Sequence, residues 1–296
     1  MKKRILSIIV SLAMILVISV PAFAIENISD ISTETHNEYA MWLESQSFQT
    51  NTSNYAENSA NYDYYELLYK RAQMPEYKLQ NMGYTEIQIA QLKEYALNPE
   101  TSNIDFYATA AEVNLTFSVD RSGNSTHTTY IVTAKWEWTS APLIAKKDLM
   151  AVRWEAIGSD GANIDMICDQ GAYYGTGIYT NMETGTTKSY SLTVSGDSSR
   201  NMKDVSIPMS RYESGMNLWA SSGTLKVNLQ VLNSDGLRYF YIKSGYAHLA
   251  LDIVADISAV PSGTGVDFTI TVTFPAKVIT EYKMARILPT LKIIYQ

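Results

Sequence analysis

Cysteine is almost absent from this chain of 296 residues, which contains only Cys168. A single thiol forms no intramolecular disulfide, so the fold must be stabilised by buried apolar surface, which a chain of this length can supply. Cys168 alternates with Ile164 and Met166, and neither a histidine nor a basic cluster lies near it in the sequence. We therefore predict a buried, unreactive side chain rather than a catalytic thiol.

Histidine is also scarce, with three residues in the whole sequence. The motifs Gly-x-Ser-x-Gly, His-Glu-x-x-His and Gly-x-x-x-x-Gly-Lys are missing, which removes local signs of a hydrolase, a zinc peptidase or a phosphate-binding loop. His248 and Asp252 lie four positions apart on a predicted strand, roughly 13 Å, which is too far for a hydrogen bond. We interpret them as solvated side chains. We expect no cofactor and no metal site, and we favour a protein that is not an enzyme.

Positive charge is missing where the chain is most acidic. Residues 25–63 contain seven acidic residues and no lysine or arginine. The formal net charge is −7, and removal of the three basic residues at the N-terminus takes it to −10. Nucleic-acid binding requires clustered basic residues, so this class of partner is excluded. The low apolar content of residues 25–63 predicts a mobile acidic leader, with one or two helical turns around Tyr39 and Trp42.

Long apolar runs are absent beyond the first 24 residues. The run from Ile5 to Val20 follows three basic residues and precedes Ala22-Phe23-Ala24, where small residues suit signal peptidase. The run is too short for a comfortable membrane span. We therefore predict that residues 1–24 are a bacterial-type signal peptide and that no stable membrane span remains after its removal. No cysteine follows to carry a lipid, and the tail around Leu288 lacks a cell-wall sorting signal, so we expect a secreted protein.

Residues 64–100 have helical periodicity. Pro75 is well placed to open a second helix, and Gly83 suits a left-handed helix stop. Thr85 and Gln88 have the spacing of a capping box, and Asn98-Pro99 ends the element. We predict a small αα-hairpin over residues 64–100. It is too small to bury a core alone, so we expect it to pack on the rest of the protein or on another chain.

Alternating apolar and polar residues dominate the rest of the chain. The clearest alternation, from Thr224 to Phe274, predicts an antiparallel meander with turns at Asn233–Gly236 and Pro261–Gly265. Its pattern places Ala247 and Leu249 on the dry face, and Tyr246, His248 and Asp252 on the wet face.

Similar patterns predict about nine to eleven strands in residues 105–296, without alternating helices. The predicted fold class is therefore mainly β, with a two-layer antiparallel β-sandwich of immunoglobulin-like or jelly-roll-like type over residues 105–296. The αα-hairpin and the mobile acidic leader precede it. Trp136 and Trp138 share an apolar strand face, so we predict that both pack in the core.

The most suggestive candidate binding site is the glycine-rich segment from Gly171 to Tyr179. Tyrosine rings on a flexible loop present flat, amphipathic surfaces to a sugar ring or to a protein. We therefore predict Tyr173, Tyr174 and Tyr179 as ligand-binding residues. The alternative is that these rings fold back over the edge of the sandwich.

Three functions fit these patterns. The favoured one is a secreted, non-enzymatic β-sandwich that binds an extracellular carbohydrate, cell-envelope component or protein. The second is a secreted hydrolase with dispersed carboxylates, for example Glu137 and Glu155. The third is a β-pore-forming or self-assembling protein, indicated by the amphipathic alternation of residues 267–273. No pattern in the sequence specifies an oligomeric state.

Overall fold

A computed structural model describes the backbone of most of the chain. The described ranges are 31–49, 64–123, 127–144, 146–168, 171–196, 201–232, 237–249, 255–262, 265–272, 281–287 and 293–295. The predicted signal peptide, the first part of the predicted leader and the predicted turn at Asn233–Gly236 lie outside these residues.

Strands make up most of the described structure. In chain order they are β1 (Ile31–Asn37), β2 (Glu112–Gly123), β3 (His127–Trp138), β4 (Lys147–Gly158), β5 (Asn163–Ile164), β6 (Tyr173–Asn181), β7 (Thr187–Leu192), β8 (Val194–Ser195), β9 (Met202–Pro208), β10 (Ser210–Glu213), β11 (Met216–Leu232), β12 (Leu237–Leu249), β13 (Ala255–Ser262), β14 (Gly265–Val272), β15 (Glu281–Ile287) and β16 (Ile293–Tyr295).

Within the described ranges these strands form two antiparallel sheets of seven strands and a separate two-stranded hairpin. The first sheet has the order β1-β2-β3-β11-β6-β7, with β10 paired to β11. The second has the order β16-β15-β12-β4-β9-β8, with β5 paired to β4, and β13 and β14 form the hairpin. The predicted fold class, mainly β with two antiparallel layers, is confirmed.

The core lies between the two sheets. The rings of Tyr130 on β3 and Phe240 on β12 meet across it, with centroids 4.5 Å apart. Trp136 and Trp154 are among the largest fully buried side chains, and Trp138 is buried as well. The prediction that Trp136 and Trp138 pack in the core is confirmed. The predicted burial of Cys168 is only partial, because its side chain is half-buried against the same core.

The helices occupy the N-terminal part of the described chain. They are α1 (Glu38–Gln49), α2 (Tyr64–Ala72), α3 (Glu76–Asn81), α4 (Glu86–Leu97) and α5 (Phe106–Thr109). The predicted capping box is present at the start of α4, where Thr85 accepts from Gln88 N and the Gln88 side chain accepts from Thr85 N. Gly83 has a φ of 86°, the left-handed conformation that glycine adopts without a steric penalty.

The expectation of a mobile leader fails for residues 31–49. β1 pairs with β2 along its whole length, from Ile31 opposite Ser118 to Asn37 opposite Glu112. Tyr39 and Met41, at the start of α1, are buried. The low average apolar content of the leader concealed a short segment whose aromatic side chains bury enough surface to offset the entropy of ordering. Residues 25–30 and 50–63 lie outside the described residues.

The long meander predicted from residue 224 is wrong at its first connection. β11 belongs to the first sheet and pairs with β3 and β6, whereas β12 belongs to the second sheet and pairs with β4 and β15. The chain therefore crosses between sheets where a hairpin was expected. The second connection is confirmed, because β13 and β14 pair antiparallel with Ser262 opposite Gly265.

Polar contacts join helix α3 to the first sheet. The Lys78 ammonium on α3 lies 2.5 Å from a Glu183 carboxylate oxygen in the connection between β6 and β7. The Tyr77 hydroxyl donates to the other oxygen of Glu183 at 3.1 Å, and the Asn81 amide donates to Met182 O at 3.3 Å. α3 is thereby fixed against one end of the first sheet.

Candidate functional site

The three predicted ligand-binding tyrosines lie on strand β6, not on a loop. Tyr179 is fully buried, and its hydroxyl donates to Pro208 O at 2.7 Å. Tyr173 is half-buried, with the Lys203 ammonium 4.4 Å from its ring centroid. Tyr174 is 48% exposed. Burial removes Tyr179 from the candidate site, and Tyr174 is the most exposed of the three rings.

The glycines of β6 provide space for packing rather than flexibility. Gly177 is paired with Gly223 on β11, and Gly223 is paired in turn with Trp136 on β3. A Cβ atom on Gly223 would lie 2.0 Å from Cη2 of Trp136, and one on Gly177 would lie 2.9 Å from Cε2 of Tyr179. The indole ring of Trp136 thus lies directly over the backbone of β11, which requires glycine at that point.

Tyr174 belongs to an outer face of the first sheet that is rich in hydroxyl groups. On β11, Lys226 is opposite Tyr174 and Thr224 is opposite Thr176, and the Lys226 ammonium lies 5.8 Å from the Tyr174 ring centroid. Ile178 is exposed on the same face. Facing side chains from β7 and β11 extend it. We define the Tyr174 face as Tyr174, Thr176, Ile178, Ser189, Ser191, Ser222, Thr224 and Lys226.

The carboxylate pair considered for a hydrolase is not brought together. Glu137 is exposed on the outer face of the first sheet, next to Ser222. Glu155 lies on the second sheet, where it alternates with the buried Trp154 and Ala156 and so faces outward. The two carboxylates are on opposite outer faces, with the core between them. This pair cannot act on one glycosidic bond, which requires about 5 to 10 Å between the two groups.

A shallow opening lies between the edge strand β1 and strand β12. Its cavity volume is only about 20 Å³, which leaves room for little more than a water molecule. The residues that line it are Glu34, Leu115, Thr116, Phe117, Lys135, Met150, Ser244, Gly245 and Tyr246. Neither Glu137 nor Glu155 contributes to it.

The structure also contains a buried polar network that sequence patterns did not predict. His248 and Asp148 are directly opposite each other on β12 and β4, and His248 Nδ1 lies 2.6 Å from Asp148 Oδ1. The Tyr246 hydroxyl donates to Asp148 Oδ2, and the Trp138 indole N–H donates to the Tyr246 hydroxyl oxygen at 3.2 Å. His248 and Tyr246 therefore face the core, and their prediction as wet-face residues is wrong. Asp148 supplies the hydrogen-bond partner of His248 Nδ1 and of the Tyr246 hydroxyl, which offsets the cost of burying these two groups.

The network carries paired charge. Burial alone would lower the pKa of His248, but the negative charge of Asp148, its hydrogen bond and the nearby Glu38 raise that pKa to about 10. His248 is therefore an imidazolium at neutral pH. A Glu38 carboxylate oxygen lies 3.8 Å from His248 Nε2. Burial also raises the pKa of Tyr246, and the charge of Asp148 adds to this effect.

Glu38 links the network to the connection between β3 and β4. Its two carboxylate oxygens accept from Leu143 N at 3.0 Å and Ile144 N at 2.8 Å. On the preceding residues of the same connection, the Arg71 guanidinium donates to Ala141 O at 2.7 Å and to Pro142 O at 3.2 Å. One buried carboxylate and one buried guanidinium therefore hold backbone atoms of four consecutive residues, 141–144.

This network is chemically suited to holding the fold together. Glu38, Asp148 and His248 are each at least nine-tenths buried, so a substrate has no access to the imidazole. Each member comes from a different part of the chain: Glu38 from the N-terminal segment, Asp148 from β4 and His248 from β12. The network thereby joins α1 and the connection between β3 and β4 to the second sheet.

Two other kinds of site are absent from the described residues. No three side chains of His, Cys, Asp or Glu lie close enough together there to hold a metal ion. Among the described helices, none combines the length and the apolar character needed to cross a membrane.

Fold and site together define the class as a two-sheet antiparallel β-sandwich with an N-terminal helical unit. No protein-family model matches the chain, and no curated protein matches it. Among solved structures, the delta-toxin of Clostridium perfringens is similar over 64% of this chain and 89% of its own, with 12% identity and a TM-score of 0.27.

A second similar structure is the collagen-binding domain of a Staphylococcus aureus adhesin. It covers 42% of this chain and 77% of its own, with 15% identity and a TM-score of 0.23. Likenesses this weak assign neither a family nor a function to the chain.

Proposed function

We propose that this chain is an exported, non-enzymatic binding protein that recognises an extracellular carbohydrate or cell-envelope component through the Tyr174 face. The observation that carries the proposal is the exposed ring of Tyr174, set beside Lys226 on a face whose other members are mostly hydroxyl residues. An aromatic ring provides an apolar surface for the C–H groups of a sugar, and the neighbouring hydroxyls exchange hydrogen bonds with its OH groups.

The shape and rigidity of the face support this proposal. It is built on three hydrogen-bonded strands, β7, β6 and β11, so its side chains are held at fixed spacings. A rigid face costs less conformational entropy on binding than a loop does. Export by the predicted signal peptide would bring the face into contact with envelope polymers.

Calorimetry with the chain from Ile25 onward tests the proposal directly. Soluble peptidoglycan fragments, dextran and gelatin are titrated separately into the wild-type protein and the Tyr174→Ala variant. We expect one of the first two probes to bind, and the substitution to weaken binding by about tenfold or more, which corresponds to about 1.4 kcal/mol. Tyr212→Ala is the control, because Tyr212 is exposed on β10. Binding to gelatin alone, or equal binding by both variants, would contradict the carbohydrate proposal.

A second candidate function, insertion into membranes, is favoured by the hairpin of β13 and β14. Its register pairs apolar positions with apolar positions, such as Ile257 with Ile270, and polar positions with polar positions, such as Ser258 with Thr269. Apart from Val260 opposite Asp267, the register therefore places residues of like polarity opposite each other along the hairpin. Each strand has 8 residues, which is close to the length of a membrane-crossing strand, about 9–11 residues.

Leakage of a trapped dye from vesicles tests this second candidate. Wild-type protein is added to vesicles of neutral and of anionic phospholipid between pH 5 and 8. Membrane insertion predicts release that Ile270→Asp abolishes, because a carboxylate at this apolar position of the hairpin is costly in lipid. Vesicles that remain intact under all of these conditions exclude it.

A further inference from the structure

The N-terminal helical unit contains a cluster of aromatic side chains from its own helices. Tyr65 on α2 packs against Phe106 on α5 and Trp42 on α1, with ring centroids 5.2 and 5.5 Å apart. Phe106 continues the contact to Tyr95 on α4 at 6.2 Å. Tyr95 in turn contacts Tyr69 at 6.3 Å. Four helices thus combine their rings into one continuous cluster.

Part of this cluster is open to solvent. Tyr65, Tyr69 and Tyr107 are 39%, 40% and 51% exposed, respectively. Tyr107 is joined to the cluster by an edge contact with Tyr39 at 5.0 Å. We define the aromatic patch as the exposed rings of Tyr65, Tyr69 and Tyr107. Exposed tyrosines on a packed base provide rigid contact area at a small entropic cost, which is typical of binding surfaces.

The charge around the aromatic patch is negative. Residues 31–49 and 64–110 contain nine acidic and only four basic residues. Three of the carboxylates, Glu66, Glu94 and Asp105, are immediate sequence neighbours of Tyr65, Tyr95 and Phe106. The patch therefore lies in an acidic part of the molecule.

Each of the four basic residues is already engaged. Lys70 pairs with Glu66 and Lys78 pairs with Glu183, both at 2.5 Å. Arg71 is buried against carbonyl oxygens, and the Lys93 ammonium donates to Ala72 O at 2.9 Å. With fewer basic than acidic residues, this unit has a net negative charge, which favours a partner of opposite charge.

Elsewhere in this chain, tyrosine rings bind cations repeatedly. The Arg211 guanidinium lies 4.2 Å from the Tyr190 ring centroid, and the Lys188 ammonium lies 4.9 Å from the same ring. Lys203 lies over Tyr173 at 4.4 Å. The exposed rings of the aromatic patch offer the same interaction to cations from outside.

We propose that the aromatic patch binds a lysine- and arginine-rich segment of a partner protein, by stacking cations on Tyr65, Tyr69 and Tyr107 within an acidic surround. This surface is separate in sequence and in fold from the Tyr174 face, so the two sites are independent. The negative charge around the patch increases the rate at which a cationic partner associates. The rings add selectivity, because cation–π contacts require a cation placed over a ring, beyond the general attraction of opposite charges.

The test uses three fluorescent peptides of equal length, with Arg-Gly, Ser-Gly and Glu-Gly repeats, and the chain from Ile25 onward. Fluorescence anisotropy at about 0.15 M salt should show binding of the Arg-Gly peptide alone. The double variant Tyr69→Leu/Tyr107→Leu keeps apolar bulk but removes two rings, so we expect binding to weaken by about 5- to 30-fold. Tyr69→Phe/Tyr107→Phe keeps both rings and should bind like wild type.

Two controls make the outcome decisive. Tyr212→Leu alters an exposed tyrosine far along the chain, on β10, and Tyr174→Ala alters the Tyr174 face; both should leave peptide binding unchanged. Near-ultraviolet circular dichroism checks that each variant is folded. Binding of the Ser-Gly peptide, or an equal loss in Tyr212→Leu and the double variant, overturns the proposal. Sedimentation that shows a dimer lost in the double variant also overturns it, because a second copy would then be the occupant.

Discussion

His248 and Asp148 form a buried ion pair across two adjacent strands, with 2.6 Å between Nδ1 and Oδ1, although one hundred positions separate them in the sequence. Asp148 also accepts from Tyr246, and Glu38 approaches the other side of the imidazole. The pair therefore joins the second sheet to the N-terminal segment that carries Glu38.

Removing the charge of Asp148 should destabilise the protein strongly. Asp148→Asn keeps the shape of the side chain but leaves the His248 imidazole without its main ionic partner. A buried pair that loses one member typically costs about 3–5 kcal/mol. Urea unfolding should show a loss of about 3 kcal/mol, whereas Asp160→Asn, at an exposed turn, should change stability by less than about 0.5 kcal/mol. A loss as small as that of Asp160→Asn would contradict the assigned role of the pair.

Stability should fall as the solution becomes alkaline. The pKa of His248 is about 10 in the folded protein, compared with about 6.5 in an unfolded chain. The folded state holds the proton more tightly, so this stabilisation is complete below about pH 6.5 and is lost as the pH rises through about 10. In that window the free energy of unfolding should decrease by up to about 1.4 kcal/mol per pH unit.

The His248→Gln variant provides the comparison for this pH dependence. Its free energy of unfolding should be lower than that of wild type at pH 6 and should change less between pH 7 and 9.5. Parallel curves for the two proteins over that range would show that another group causes the dependence. Tyr246, whose pKa is also raised, adds a further loss of stability only above about pH 10.

The strands themselves could be predicted, because alternation of apolar and polar residues is local. The same rule assigned the wrong face to Tyr246 and His248, which are polar residues on the core side of β12. Their partners are Asp148 and Trp138, about a hundred positions earlier in the chain. The alternation of side chains assigns residues to the two faces of a strand. It does not show which face is buried when polar residues on the buried face are hydrogen-bonded in a network.

The assignment of the three tyrosines as ligand-binding residues stays a prediction, and the structure shows only how exposed each ring is. Tyr174 is exposed as a ligand-binding residue must be, but Tyr179 is buried because β6 continues as a strand through the glycines. Glycines are typical of flexible loops, and they equally provide room for a large neighbour such as Trp136. Gly177 on β6 makes room for Tyr179 and Leu192, and Gly223 on β11 makes room for Trp136. The choice between these roles depends on strand pairing and packing, which a local pattern does not contain.

Arginine should not be replaceable by lysine at position 71. The Arg71 guanidinium donates to two consecutive carbonyl oxygens and to the Tyr84 hydroxyl, and one ammonium cannot reproduce this geometry. Arg71→Lys should therefore lower the free energy of unfolding by about 1–3 kcal/mol. The neighbouring Lys70→Arg, at an exposed position, is the matched control and should be neutral. Equal stability of the two variants in urea would contradict the role given to Arg71.

A methyl group at position 223 should disturb the packing of Trp136. The Cβ of Gly223→Ala would lie 2.0 Å from the indole ring, which must move into a filled core. Overpacking of this kind costs about 1–3 kcal/mol. Thermal unfolding should show a lower Tm, and tryptophan fluorescence should change. Ser222→Ala, one residue earlier on the outer face, should keep the wild-type Tm, and a matching Tm for Gly223→Ala would exclude close packing.

The Tyr174 face is tested most directly by hydrogen–deuterium exchange with and without saturating soluble peptidoglycan fragments. The account predicts slower exchange in peptides that cover residues 173–181 and 222–226, with little change in the helical unit. Slower exchange confined to residues 64–110, or an unchanged pattern while calorimetry reports binding, would contradict it.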